Sequence, residues 1–148
     1  MQVPFQVTLT PSTITIGWVP LTAANDRGND TIIHYKLEKA ESVAAPVYQE
    51  MTTYPHTTTS HTQTIASGIF PPNSKFLYRV SATNNVGYGP VSLPLEIITD
   101  TYPQGMTTIA SIAVTPLSIT LSWPALTAFE ATGRDPITFY RVDYMSSD

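Results

Sequence analysis

Cysteine is missing from the 148-residue sequence, and lysine is scarce, with three in the whole chain. The absence of cysteine excludes disulfide bridges, thiolate metal sites and a cysteine nucleophile. Seven basic side chains against eleven acidic ones give a net charge of −4, which disfavours binding to nucleic acid or anionic lipid. No run approaches the roughly 18 consecutive apolar residues of a spanning helix, and the N-terminus lacks the pattern of a signal peptide. We therefore expect no nucleic-acid partner and no membrane insertion.

The residues that are abundant favour β structure. Threonine occurs 23 times, serine 12 times and proline 13 times, and 42% of the residues are hydrophobic. Threonine suits the exposed face of a strand, whereas proline is found at turns and strand ends. The apolar content and the low charge argue against intrinsic disorder. This composition predicts an all-β chain.

An internal repeat relates residues 10–38 to residues 115–143 at a constant offset of 105 residues, without gaps. Both tryptophans and two tyrosines fall into register. The aligned pairs include Trp18 with Trp123, Tyr35 with Tyr140, Leu21 with Leu126, Gly28 with Gly133 and Asp30 with Asp135. So many matches in one register do not arise by chance, and the period is about the length of one β sandwich.

Apolar and polar residues alternate with a period of two in several segments, as in half-buried antiparallel strands. Residues 13–18 place Ile14, Ile16 and Trp18 on one face, and residues 118–123 repeat this pattern. Further strands are predicted at residues 47–51, 62–66, 75–83 and 92–99, with a hairpin turn at residues 84–90. About seven short strands predict a two-sheet sandwich.

The strand that contains Tyr35 follows a polar stretch at residues 25–30. Its alternation predicts that Ile33, Tyr35 and Leu37 share the buried face and that Ile32 lies on the opposite face with His34.

The segment from Phe70 to Ser92 resembles the fibronectin type III family. It reads FPPNSKFLYRVSATNNVGYGPVS and is similar to the family's run of Leu, Pro and Thr, aromatic strand, Val-x-Ala-x-Asn, glycine turn and closing Pro-x-Ser. Trp18 on the second strand and Tyr35 on the third complete the resemblance. It implies an immunoglobulin-like two-sheet sandwich, in tandem.

Two features depart from the family pattern. The family's corner tyrosine falls on Phe76, which lacks the hydroxyl for the usual hydrogen bond, worth about 1 kcal/mol. We therefore expect a looser corner. A long loop over residues 21–30 replaces a short Pro-Gly turn and accounts for the slightly long period.

The resemblance divides the chain into a fibronectin type III-like domain at residues 1–100 and the first three strands of a second one at residues 101–148. Three strands with a bare apolar face would not be stable alone. We therefore expect a fragment of a longer tandem array. The alternative is that a neighbouring chain supplies the missing strands, which would make a filament.

The strand aromatics are expected to pack in a core rather than to stack on a ligand. The predicted structural core consists of Trp18, Tyr35, Tyr78, Val80, Trp123 and Tyr140.

The sequence predicts no catalytic, cofactor or metal site. His56 and His61 lie four residues apart, but a third ligand is not visible, and the surrounding Pro and Thr residues indicate an extended loop. The acidic residues are dispersed, and no nucleophile elbow, HExxH helix, phosphate loop or EF-hand spacing occurs. We therefore expect no enzymatic activity.

Two segments are candidates for covalent glycans. Asn29 begins the sequence's one N-glycosylation sequon, Asn-Asp-Thr, within the long polar loop. The candidate O-glycosylation cluster consists of Thr57, Thr58, Thr59 and Ser60, whose alternative is an ordinary Thr-rich turn.

The expected function is that of a structural, spacer and protein-interaction module in a longer surface or filament-forming protein, extracellular or at the cell surface. Partners would be other chains or neighbouring repeats. Two alternatives remain: a ligand-binding receptor ectodomain or enzyme accessory module, and an intracellular cytoskeletal or axonemal array. The binding alternative points to the loops at residues 21–30 and 84–90, with Tyr88 and Asn85 as contact residues.

Overall fold

The structure, a computed structural model, describes residues 1–66 and 69–145. It divides into two compact units, Met1–Thr99 (unit 1) and Asp100–Asp148 (unit 2). The last three residues of the predicted second repeat, 146–148, lie outside the described residues.

Unit 1 is built from antiparallel strands. They are β1 (Phe5–Leu9), β2 (Thr13–Gly17), β3 (His34–Glu41), β4 (Gln49–Pro55), β5 (Ser60–Thr64), β6 (Lys75–Thr83) and β7 (Leu95–Ile98). A short 3₁₀ turn at Asn25–Arg27 lies in the loop between β2 and β3. One sheet has the order β1-β2-β5 and the other β4-β3-β6-β7. The predicted all-β, two-sheet sandwich is confirmed.

The core lies between the two sheets, where alternation places the apolar side chains. Ile14 and Ile16 of β2 are fully buried and pack with Leu37, Tyr78 and Ile97 of the other sheet. A second cluster, nearer the loop at residues 21–30, consists of Trp18, Ile32, Tyr35, Val80 and Ala82. Burying such side chains stabilises the fold by about 1.5–3 kcal/mol each.

The entry to β3 differs from the prediction. Ile32 is buried and Ile33 is exposed, so the expectation that Ile33 shares the buried face with Tyr35 is wrong. β3 begins at His34, and the alternation breaks there, since Ile33 and His34 are both exposed although the backbone of Ile33 is hydrogen-bonded to Thr83 and His56. Ile32 therefore turns into the Trp18 cluster from the loop.

The last strand of unit 1 is shorter than predicted. Ser92 is already paired with β6, since its N–H donates to the carbonyl of Val80 at 2.9 Å and its Oγ accepts from the N–H of Val80 at 3.1 Å. Pro94 follows, and a proline has no N–H to donate to the next strand. β7 consequently begins at Leu95.

Phe76 lies in the buried core near the end of the sandwich. Its ring meets Phe70 edge-on with the centroids 6.0 Å apart, and the Nζ of Lys39 lies 3.9 Å from its centroid. Burial lowers the pKa of Lys39, and the nearby Glu41 carboxylate opposes this shift. Packing and a cation–π contact therefore occupy the corner where the hydroxyl is missing.

Unit 2 contains one described hairpin, of β8 (Ala110–Thr115) and β9 (Ser118–Ser122). Among residues 100–145 no strand forms around Tyr140, where a third strand is expected. Its counterpart β3 is hydrogen-bonded on both sides, to β4 and β6, whereas no described strand pairs with the segment around Tyr140. Trp123 and Tyr140, predicted as core, are half-buried.

Unit 2 nevertheless repeats the local geometry of unit 1. The register shift between Gln6 and Thr8 of β1 recurs between Ser111 and Ala113 of β8, at the offset of 105 residues. The N–H of Leu21 donates to the hydroxyl of Tyr35 at 2.9 Å, and in unit 2 the N–H of Leu126 donates to the hydroxyl of Tyr140 at 2.8 Å. The ring centroids are 5.9 Å apart in both matched aromatic pairs, Trp18 with Tyr35 and Trp123 with Tyr140.

Candidate interaction surface

Two loops of unit 1 meet at one end of the sandwich. The first loop, residues 21–30, connects β2 to β3, and the second loop, residues 84–90, connects β6 to the segment before β7. The Asp30 carboxylate joins them by accepting hydrogen bonds from the N–H of Asn85 at 3.1 Å and from its Nδ2 at 2.9 Å. The N–H of Thr31, followed by these Asn85 donors, holds the pKa of Asp30 below its usual value.

Asn84 fixes the second loop from within. Its Nδ2 donates to the Arg27 carbonyl at 2.9 Å, and its Oδ1 accepts from the N–H groups of Val86 at 2.9 Å and Gly87 at 3.2 Å. Gly87 has a φ of 143°, in the region that favours glycine. Hydrogen bonds from Asn84 and Asn85 thus hold the two loops together within unit 1.

A cavity of about 470 Å³ lies between the two loops. Its wall includes the apolar residues Met1, Leu21, Ile32, Val86 and Pro90. Arg27 also lines it, and the Arg27 Nε is buried without a hydrogen-bond partner within residues 1–66 and 69–145. Two residues of the rim are strongly exposed, Val86 at 89% and Tyr88 at 60%. The cavity therefore offers apolar surface together with hydrogen-bonding groups.

A ladder of charged and aromatic side chains crosses the outer face of the four-stranded sheet towards Tyr88. The Lys36 Nζ lies 4.6 Å from the Tyr88 ring centroid and 3.6 Å from Glu38, which accepts from the Nε of Arg79 at 2.9 Å. The Arg79 guanidinium in turn stacks 3.7 Å from the Tyr48 ring centroid. We call these five residues the outer-face ladder.

The ladder holds Glu38 as a carboxylate. Burial opposes its ionisation, but the hydrogen bond and charge of Arg79, together with Lys36, outweigh burial and keep the Glu38 pKa below its ordinary value. The ladder leaves the exposed ring of Tyr88 with a cation at one side.

The candidate glycan sites lie in different settings. Asn29 is exposed and has a φ of 58°, a conformation that asparagine tolerates. Thr57 and Ser60 are exposed, whereas Thr58 and Thr59 are half-buried in the β4–β5 connection. The carbonyl of Thr59 accepts from the N–H of Trp18 at 2.9 Å.

The two histidines are separated by the β4–β5 turn. His56 is exposed, whereas His61 is half-buried with its Nδ1 hydrogen-bonded to the hydroxyl of Tyr54. Burial lowers the pKa of His61 and raises that of Tyr54. Over residues 1–66 and 69–145, no group of three or more His, Asp or Glu side chains has the arrangement of a metal site.

No helix of the length and apolarity that a membrane crossing requires occurs among the described residues.

Comparison with solved structures identifies the fold. No protein-family model and no curated protein sequence matches the chain. The sixth fibronectin type III domain of human fibronectin type III domain containing protein 3 aligns with a TM-score of 0.52 and 22% identity, over 70% of this chain and 89% of that one. The chain thus contains a fibronectin type III-like domain, as its sequence predicts.

Tandem proteins contain similar structures. Domains A168–A170 of titin align with a TM-score of 0.52 and 20% identity, over 66% of this chain and 32% of that one. The twitchin kinase region of C. elegans aligns with a TM-score of 0.51 and 16% identity, over 62% of this chain and 14% of that one. This chain therefore spans a small part of either protein. At these identities the likeness establishes the fold alone.

Sequence reasoning located the two loops and Tyr88 but not the outer-face ladder. Lys36, Glu38 and Arg79 occupy polar positions of predicted strands, and their opposite charges were the available signal. Their contact depends on the register that pairs Glu38 with Arg79 across β3 and β6, which no local pattern specifies.

Proposed function

We propose that the chain is a non-enzymatic structural and spacer unit, with protein-interaction surfaces, of a longer tandem-repeat surface or filament-forming protein. The observation that carries the proposal is the repetition of detailed geometry at an offset of 105 residues, down to the Tyr35 and Tyr140 hydrogen bonds. Repetition of a whole module is the means by which arrays gain length. Titin and twitchin, which contain similar structures, support this reading.

In this proposal unit 2 is the first part of a second module. Its hairpin exposes Val114, Ile119 and Leu121, whereas their counterparts Leu9, Ile14 and Ile16 pack in the core of unit 1. An exposed apolar surface of this kind is normally buried against another sheet or another chain. The strands that bury it come from further along the array, with donation by a neighbouring chain as the alternative.

The partners in this proposal are other protein chains or neighbouring repeats, and the location is extracellular or at the cell surface. The exposed Asn29 and Thr57 are compatible with glycans there. The intracellular alternative, a cytoskeletal array, predicts that Asn29 is unmodified in native material.

A second candidate function is ligand recognition at the loop end, as in a receptor ectodomain or an accessory module of an enzyme. The cavity between the two loops and the exposed Tyr88 favour it. It predicts that Tyr88→Ala abolishes binding to a partner without lowering the melting temperature, whereas the spacer function tolerates this change.

The test is electron microscopy and peptide mass spectrometry on the protein purified from its native source. We expect an extended string of modules, peptides of further 105-residue repeats, and a glycan on Asn29 or on the Thr57–Ser60 cluster. A compact particle without further repeats would overturn the spacer function. Further repeats with an unmodified Asn29 would support the intracellular array instead.

A further inference from the structure

The start of unit 2 is bound to a loop of the same unit. Thr101 donates its N–H to the carbonyl of Gly133 at 3.0 Å, and Gln104 donates its N–H to the carbonyl of Ala131 at 2.9 Å. The residue number of the donor increases from 101 to 104 while that of the acceptor decreases from 133 to 131, so the two segments run antiparallel. Residues 100–105, which we call the linker segment, thus add to the loop as an extended strand would.

Gly133 allows this close approach. Its φ of 77° lies in the left-handed region, and a Cβ added to it would overlap the carbonyl group of Thr101. Any side chain at residue 133 would therefore push the linker segment away, which makes glycine at this position part of the contact.

The corresponding loop of unit 1 has the same backbone. Gly28 is also left-handed, with a φ of 66°. Three backbone hydrogen bonds of this loop recur in unit 2 at the 105-residue offset. In unit 1 they run from Arg27 N to Ala23 O, from Gly28 N to Asn25 O and from Asn29 N to Ala24 O. Their counterparts in unit 2 run from Thr132 N to Ala128 O, from Gly133 N to Glu130 O and from Arg134 N to Phe129 O. The acceptors equivalent to Ala131 and Gly133 are accordingly the carbonyls of Asp26 and Gly28.

Those two residues border the cavity of unit 1, and Met1 borders it as well. Met1 corresponds to Met106 at the offset of 105 residues, so the linker segment of unit 2 corresponds to a segment that would lead directly into Met1. The cavity of unit 1 is therefore bordered by the residues whose counterparts bind the linker segment in unit 2, and the Asn84 side chain lies beside Gly28 where unit 2 has Thr101 beside Gly133.

We propose that the cavity at the loop end of unit 1 is a docking site for the linker segment of another repeat. The bound peptide has the chemistry of residues 100–105: it is extended, and it donates backbone N–H groups to the carbonyls of Asp26 and Gly28. The second loop supplies apolar surface, from Val86 and Pro90, for the ring that corresponds to Tyr102, which is 66% exposed in unit 2. This inference rests on the proposed tandem function. It specifies how one module would bind the linker segment that precedes it.

The test is a fusion in which the six residues Asp-Thr-Tyr-Pro-Gln-Gly are placed directly before Met1, in the register of the repeat. Amide hydrogen exchange is measured by nuclear magnetic resonance on the whole chain. We expect the amides of the added threonine and glutamine to exchange at least tenfold more slowly than in a fusion with the same six residues scrambled. Native Thr101 and Gln104 provide the protected reference within the same molecule.

A second variant examines the role of the glycine. Asparagine tolerates left-handed backbone, so Gly28→Asn keeps the left-handed conformation of the loop. Its Cβ would lie 3.3 Å from the Nδ2 of Asn84 and would crowd the approach to the Gly28 carbonyl. We expect this variant to remain folded by circular dichroism and to lose the protection of the added amides.

Free-peptide exchange rates for the added amides, with Thr101 and Gln104 protected, would overturn the docking site. That outcome would leave the spacer function intact, because the length and repeat content of the native protein are measured separately. Protection that persists in both Gly28→Asn and the scrambled fusion would also overturn it, since the contact would then not be specific to the linker segment.

Discussion

The ring of Phe5 on β1 lies directly over Gly17 on the neighbouring strand β2. The two residues are paired across the sheet, and a Cβ at residue 17 would come within 2.7 Å of two carbons of the Phe5 ring. In unit 2 the equivalent pair is Ala110 and Ser122, two small residues. The close packing of a large ring on a glycine is therefore specific to unit 1.

This pairing predicts the effect of Gly17→Ala. We expect a loss of about 1–2 kcal/mol in the free energy of unfolding, because the added methyl group displaces the Phe5 ring. In a Phe5→Ala background the loss should be smaller, since the Val7 Cγ2, 3.1 Å from the added Cβ, is then the one close contact left and alanine is preferred over glycine within a strand. Urea unfolding of the four variants measures the coupling. Equal losses in both backgrounds would show that the ring does not cause the effect.

The hydroxyl of Tyr35 predicts a second result. Tyr35→Phe removes the acceptor of the Leu21 N–H while keeping the ring beside Trp18, so we expect unit 1 to lose about 1 kcal/mol of stability. Tyr140→Phe makes the same change in unit 2 and is the matched control. Urea unfolding followed by circular dichroism should show a shifted main transition for the first variant only.

The two tryptophans should differ strongly in their importance. Trp18 is almost fully buried, so Trp18→Ala is expected to cost about 3–5 kcal/mol. Trp123 is half-buried beside Tyr140, and Trp123→Ala should leave the unfolding of unit 1 unchanged. Thermal unfolding of both variants provides the comparison, and similar melting temperatures for the two would contradict the difference in burial.

The outer-face ladder predicts acid sensitivity through Glu38. Because its pKa is lowered in the folded state, its stabilising contribution is present above the ordinary value of 4.5 and is lost as the pH falls through the lower folded value. We expect Glu38→Gln to lower the melting temperature at pH 7 and to match the parent chain at the acid end of this range. Asp30→Asn, at the other lowered carboxylate, serves as a comparison at the loop end. A constant difference between Glu38→Gln and the parent at every pH would contradict the prediction.

His61 predicts a second pH dependence, at higher pH. Burial lowers its pKa below 6.5, so the folded state favours the neutral ring and stability declines as the pH falls below that value. We expect His61→Gln to flatten the decline in melting temperature between about pH 7 and pH 5. His56→Gln, at the exposed histidine on the other side of the turn, should leave the decline unchanged. A profile that His61→Gln does not alter would assign the effect to another group.

The sequence predicted features that depend on local pattern. The period-two alternation around Ile14 and around Val80 placed these residues in the core, and the 105-residue offset marked the repeat without any coordinates. The two loops that meet at one end followed from the resemblance to fibronectin type III domains. Candidate contact residues such as Tyr88 could therefore be chosen from the sequence, and their contacts with a partner remain a prediction.

Only the tertiary structure decided the features that depend on pairing between distant residues. The contact between Glu38 and Arg79 exists because two strands share one register. Ile32 rather than Ile33 is buried because the alternation breaks between Ile33 and His34, where β3 begins. Tyr140 shows the same dependence in reverse. Its local pattern equals that of Tyr35, yet no strand forms there among the described residues, since a strand needs hydrogen-bonding neighbours that the sequence of the segment itself does not contain.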